Sequence, residues 1–143
     1  MGTQSSPQSV LERLITAQNL HDLEAFLDCF DPDYQSEQPI HPDRAFSGRQ
    51  QVRKNWSALF SSTPDFRSEL ISAASEGDTG WAEWSWSGMR TDGTRFEMRG
   101  MTIFGVRNGR ITWQRLYMEE VEEAGAGIDA VVHSLTHKPP QEG

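Results

Sequence analysis

The stretch that most constrains this chain is Arg95 to Glu120, RFEMRGMTIFGVRNGRITWQRLYMEE. It reads as two long strands joined by a tight turn. Met98, Thr102, Phe104 and Val106 share one parity, and Met101 and Ile103 the other, as the period of two in a strand requires. Arg107-Asn108-Gly109 supplies residues that tolerate positive φ, the requirement of a short hairpin loop. Ile111 to Met118 follows, rich in β-branched and aromatic side chains. A two-stranded ribbon is not stable alone, so it demands a larger sheet and a layer covering one face. One face of the ribbon is expected to line the place where the protein acts.

The period upstream is 3.6. Ser9 can cap a helix carrying Val10, Leu11, Leu14, Ile15 and Gln18, and Asp22 a second one carrying Leu23, Phe26, Leu27 and Phe30, which stops before Asp31-Pro32. Asp33 to Gln38 reads as a short edge strand ending at Pro39, and Ile40 to Phe46 as a loop. Ser47 and Gln50 have capping-box spacing before a third helix that buries Val52, Trp56, Leu59 and Phe60. From Asp65 the period becomes two: a strand at Phe66 to Ser72, a turn at Glu76 to Gly80, a strand at Trp81 to Trp86, and a turn at Thr91 to Gly93. Helices first and strands after them predict an α+β fold, three N-terminal helices packed on one face of a curved antiparallel sheet. One domain spans 9–120, between a flexible tail over 1–8 and a tail over 121–143 in which Ile128 to Leu135 can form one short helix.

Composition narrows the partners. A formal charge of −8 and a pI near 4.9 offer no clustered cations for phosphates, so neither nucleic acid nor an anionic membrane surface is an expected partner. No apolar run approaches the roughly 20 residues of a membrane span and no charged-then-apolar signal opens the chain. Cys29, the single cysteine, lies in an apolar helical stretch and reads as a reduced, buried thiol in a cytoplasmic protein. Gly125-Ala126-Gly127 lacks the strand-to-helix setting of a phosphate loop.

Several phrases carry a resemblance: Phe46-Ser47-Gly48-Arg49-Gln50-Gln51-Val52 entering the third helix, Glu76-Gly77-Asp78 before the tryptophan strand, Gly109-Arg110-Ile111, and Arg115-Leu116-Tyr117. The chain resembles the SnoaL-like family of the nuclear transport factor 2-like superfamily, relatives of ketosteroid isomerase, limonene epoxide hydrolase and polyketide cyclases. The resemblance implies a cone whose helices cover the concave face of the sheet and enclose one apolar pocket. It places Tyr34, Ser36 and Gln38 inward on the first strand, Glu83 and Ser85 inward on the tryptophan strand, and Thr102, Phe104, Gln114, Leu116 and Met118 inward on the hairpin. Trp84, Trp86, Trp113, Arg115 and Tyr117 then face the convex side, where a homodimer would form.

The family chemistries depart from this sequence. Ketosteroid isomerase needs a carboxylate base and a protonated Asp; the matching positions here are Gln38, an amide that accepts no proton, and Thr102. The acid–base set of limonene epoxide hydrolase falls on Glu83, Ser85 and Leu116, which lack it. Glu83 becomes the candidate acid/base, because a carboxylate in an apolar pocket is pushed toward the neutral form, with Gln38, Tyr34 and Ser36 as polar partners. Its plain alternative is an ion pair with Arg67, Arg95 or Arg99. His41, in a loop over the expected pocket mouth, is either a ligand contact or an ordinary loop histidine. Trp56, Phe60 and Phe104 either stack on a ligand or are core. His21, His133 and His137 fall in linker and tail segments and are not read as metal ligands, so neither metal nor cofactor is expected. The function implied is binding of a small, mostly apolar or carbonyl-containing molecule, with cofactor-free isomerisation, cyclisation or hydration at Glu83; the alternative is a non-catalytic ligand-binding or dimerisation module.

Overall fold

The turn of the long hairpin takes the form its residues require. Asn108 (φ 53°) and Gly109 (φ 77°) are both left-handed, and they join Arg107 to its partner Arg110 in a two-residue loop. The structure, a computed structural model, describes residues 6–137. Residues 1–5 of the expected N-terminal tail and 138–143 of the C-terminal tail lie outside the described residues. In chain order the elements are helix α1 (Pro7–Leu20), helix α2 (Leu23–Leu27), strand β1 (Phe30–Glu37), a 3-10 turn (Pro42–Arg44), strand β2 (Phe46–Ser47), helix α3 (Arg49–Ser62), then strands β3 (Arg67–Glu76), β4 (Thr79–Met89), β5 (Arg95–Arg107) and β6 (Arg110–Glu120), and helix α4 (Ile128–Thr136).

The strands form one six-stranded sheet in the order β2-β1-β6-β5-β4-β3. The meander from β3 to β6 is antiparallel, as short turns dictate. β1 instead runs parallel to β6, so the sheet is mixed rather than wholly antiparallel. No hairpin links those two strands, and the intervening helix and meander free their relative direction. Pro32 sits inside β1, at the irregularity between Phe30 and Gln35 where its missing N–H leaves no gap in the ladder. The same pairing takes Phe30 off the expected helix face and into the strand.

Local capping explains the helix boundaries. Ser6, not Ser9, caps α1: its Oγ accepts from the Ser9 N–H at 3.1 Å, and Pro7 occupies the first helical position, so the helix begins inside the expected tail. His21 turns left-handed (φ 56°) to end α1, and Asp22 Oδ1 accepts from Ala25 N–H at 3.1 Å to open α2. The Ser47–Gln50 capping box does not form. Gly48 (φ 96°) precedes α3, and the Ser47 hydroxyl donates to Gln35 Oε1 across the β1–β2 pair. The fourth helix, α4, matches the short helix expected near Ile128 to Leu135, and leaves Ile128, Val132 and Leu135 exposed. No helix of the described residues is long and apolar enough to cross a membrane.

α1, α2 and α3 pack on one face of the sheet, and β4 shows which side chains meet them. Trp84 is 2% exposed and Trp86 7%, whereas Glu83 is exposed. The inward placement of Glu83 and Ser85, and the convex placement of Trp84 and Trp86, are therefore corrected. Directly opposed residues in an antiparallel pair share a face. Thr102, buried, lies opposite Ala82, so alternation carries Trp84 and Trp86 inward; Glu83 lies opposite Met101, which is 42% exposed. Energetics agree, since burying two indoles is favourable and burying an unpaired carboxylate is not. Trp113, Arg115 and Tyr117 keep the outer side expected of them, with the Arg115 guanidinium 4.9 Å from the Trp113 ring centre.

Gly100 lies opposite Trp84 and Met118, and a Cβ there would stand 1.9 Å from the Tyr117 carbonyl oxygen. Gly100→Ala must spread the β5–β6 ladder, so it is expected to destabilise the fold by more than about 2 kcal/mol in urea titration. A loss below about 0.5 kcal/mol would show that this close approach is not required.

Candidate functional site

Two stripes of helical side chains meet the inner face of the sheet without filling the space between them. Leu14 and Gln18 descend from α1, one turn apart, and Val52, Asn55, Trp56 and Leu59 from α3. β1 contributes Phe30, Tyr34 and Ser36, β4 Trp84 and Trp86, β5 Thr102, and β6 Gln114 and Leu116; Phe26, Gln38 and Phe46 complete the wall of a cavity of about 190 Å³. Aromatic edges set its shape. Trp56 meets Trp86 edge-on with ring centres 5.3 Å apart, and Phe26 lies 4.5 Å from Trp56.

The polar groups in this apolar setting are few and mostly paired. Gln114 Nε2 donates to the Tyr34 hydroxyl at 2.8 Å, and the Ser36 hydroxyl also acts on that phenol. The Trp84 indole N–H donates to Thr102 Oγ1 at 2.9 Å. Gln38 Oε1 accepts from Arg44 at 3.1 Å. Burial pushes the Tyr34 phenol above its ordinary pKa, and the bonds from Ser36 and Gln114 pull less strongly the other way. Tyr34 is therefore a neutral phenol whose oxygen already accepts, leaving its own proton to donate.

Of the residues expected at the site, the cavity brings together Tyr34, Ser36, Gln38, Trp56, Thr102, Gln114 and Leu116. Glu83 and Ser85 lie on the other side of the sheet, and Glu83 makes no ion pair among the described residues, so the arginine pairing fails as well. His41 does not line the cavity; its Nε2 lies 2.9 Å from Glu119 at the end of β6, an exposed pair. Phe60 stacks on His21 at 4.8 Å, outside the cavity wall. Phe104 and Met118 are core: Phe104 fills the space over Gly80, where a Cβ would stand 2.3 Å from its ring. The residues missed include Gln18, Asn55, Trp84 and Trp86, besides apolar side chains read only as core or left unassigned. Gln18 carried a signal, a polar side chain on an otherwise apolar helix stripe, whereas the tryptophans were lost to the inverted parity.

Cys29 is buried, and burial raises its thiol to about 11, which leaves it neutral and unreactive at physiological pH. His133, on α4, and His137, the residue that ends it, are four residues apart with rings stacked 4.1 Å apart. Two exposed ligands do not make a metal site, and no cluster of three or more such groups occurs among the described residues.

Residues 11–114 match a family model described as a SnoaL-like domain. No curated protein matches the chain significantly. Similar solved structures include IdmH of Streptomyces antibioticus, a candidate polyketide cyclase, at 21% identity over 79% of this chain and 91% of that one, TM-score 0.68. AclR of Streptomyces galilaeus, a candidate hydroxylase, shares 16% identity over 83% and 90%, TM-score 0.69. A protein of Catenulispora acidiphila with a ketosteroid isomerase-like fold, solved with trimethylamine, shares 18% over 79% and 86%, TM-score 0.66. At these identities the likeness concerns the fold alone.

The chain has two tyrosines, and burial raises the pKa of Tyr34. In absorbance titration at 295 nm, one phenol is expected to ionise later than a free tyrosine, and Tyr34→Phe to remove that late step. Because the folded pKa is the higher one, its stabilising contribution is complete below the ordinary tyrosine pKa near 10 and is lost as pH rises above it. A titration with no step later than a free tyrosine, or a late step that survives Tyr34→Phe, would contradict a buried Tyr34.

Proposed function

The chain belongs to the SnoaL-like domain family, and from that premise we propose that its cone binds one small, mostly apolar, uncharged molecule bearing a carbonyl or hydroxyl oxygen. The observation that carries this reading is the character of the wall. Tyr34 is the only ionisable side chain among the lining residues, and burial keeps it neutral. An anionic ligand would lose its hydration with no cation to meet it. Size supports the same class: an engineered apolar cavity of about 150 Å³ holds benzene, so 190 Å³ suits a one-ring molecule.

The absence of a lining carboxylate or imidazole favours binding without acid–base turnover over isomerisation by a general base. One observation supports a second reading. With Gln114 donating to its oxygen, the Tyr34 O–H is free to polarise a ligand carbonyl, which would serve a cofactor-free isomerisation or cyclisation whose proton transfers occur within the substrate. A homodimer across the outer sheet face remains part of the proposal, on different residues from those first expected. Trp81, Ile103, Trp113 and Tyr117 are half-buried there, and Met101 is exposed.

One-ring neutral compounds such as cyclohexanone are expected to raise the melting temperature by a few degrees at about 100 times Kd. Leu116→Trp, which fills the cavity, should cancel the rise, and Glu83→Gln should leave it intact. A set of such compounds with no effect on the melting temperature would sink the binding reading. For the dimer, sedimentation should halve the mass when Met101 and Ile103 both become Lys; a wild-type monomer at micromolar concentration rejects it.

A further inference from the structure

Among the described residues, three buried side-chain polar atoms have no hydrogen-bond partner: Gln18 Oε1, Ser68 Oγ and Trp86 Nε1. They sit on α1, β3 and β4, elements that pack against one another. Ser68 on β3 lies directly opposite Trp86 on β4. Asn19, the residue after Gln18, clamps the Ser68 backbone from both sides, donating to its carbonyl at 3.0 Å and accepting from its N–H at 2.7 Å. Gln18, 1% exposed, and Trp86 both line the cavity. Buried polar atoms are nearly always paired, and each one left alone costs energy. Two of them on residues lining one cavity, Gln18 and Trp86, mark a place built for a hydrogen-bonding group.

The atoms specify the group. The indole N–H can only donate, the Gln18 oxygen can only accept, and the Ser68 hydroxyl does either. A carboxylate would face the Gln18 oxygen with no cation beside it, and a hydrocarbon would leave both lining atoms unmet. A hydroxyl oxygen accepts one bond while its proton makes another. We infer that the molecule in the cone carries a hydroxyl, as an alcohol or a phenol, accepting from Trp86 Nε1–H while donating to Gln18 Oε1. The inference rests on the reading of the cone as a binding site and narrows its ligand class.

Phenol and toluene, nearly equal in size, test it by calorimetric titration of the full chain. An apolar cavity prefers toluene, the more hydrophobic of the two; this cone is expected to bind phenol at least as tightly. The phenol-to-toluene affinity ratio should fall about tenfold in Trp86→Phe, as loss of one buried hydrogen bond implies. Gln18→Met, a substitution gentle on the helix, should lower it similarly and guards against misfolding of the tryptophan variant. In ¹H–¹⁵N spectra, the indole N–H signal absent from Trp86→Phe should shift with phenol and not with toluene. Toluene preferred, with the ratio unchanged in both variants, overturns the hydroxyl assignment while leaving the cone a binding site. Binding of neither probe brings down both.

Discussion

The pairing of β4 with β5 is the constraint on which the rest of the molecule depends. With Ala82 opposite Thr102 and Trp84 opposite Gly100, two indoles are committed to the helix-covered face. The Trp84 N–H reaches across to Thr102 Oγ1, so the largest buried side chain of β4 has its one polar atom satisfied inside the core. Shifting the register by one residue would expose both indoles and bury Glu83, a double penalty that holds the ladder in place. Gly100 belongs to the same device, because only a residue without a side chain allows β5 to approach the Tyr117 carbonyl so closely.

From that commitment follows the shape of the interior. Trp86 becomes the floor against which Trp56 and Phe66 pack at near-perpendicular and tilted angles, and Phe26 closes on Trp56 from α2. Rings that meet edge to face interlock but do not tile, and the space they leave against Tyr34, Thr102 and Gln114 is the cavity. The core and the site share one set of aromatic residues.

The electrostatic character of the site is equally a consequence of what was placed outside. Glu83 faces solvent, and His41 pairs with Glu119 away from the cavity. What remains inside is a neutral phenol, amides, hydroxyls and indole N–H groups. Such a set recognises an uncharged oxygen and repels a bare charge by failing to solvate it. The chain's negative net charge works in the same direction for anions.

Much of this was legible in the chain itself. Asn108-Gly109 dictated the hairpin, Asp22 the start of α2, and the apolar stripes of α1 and α3 the surfaces that cover the sheet, because each rests on interactions within a few residues. The inward residues of β1 and β6 were legible too, with Tyr34, Ser36, Gln114 and Leu116 reaching the cavity as expected. The facing of β4 was not. Alternation divides a strand into two faces without saying which is the inner one, and in WAEWSW both faces look plausible until a neighbour is paired. The capping of α3 and the position of His41 failed for a related reason: Ser47 found Gln35, and His41 found Glu119, partners that lie next to them only after folding. Local chemistry thus determined the elements of the long Arg95 to Glu120 ribbon and its neighbours. Only long-range pairing decided that two tryptophans, and not a carboxylate, look into the cone.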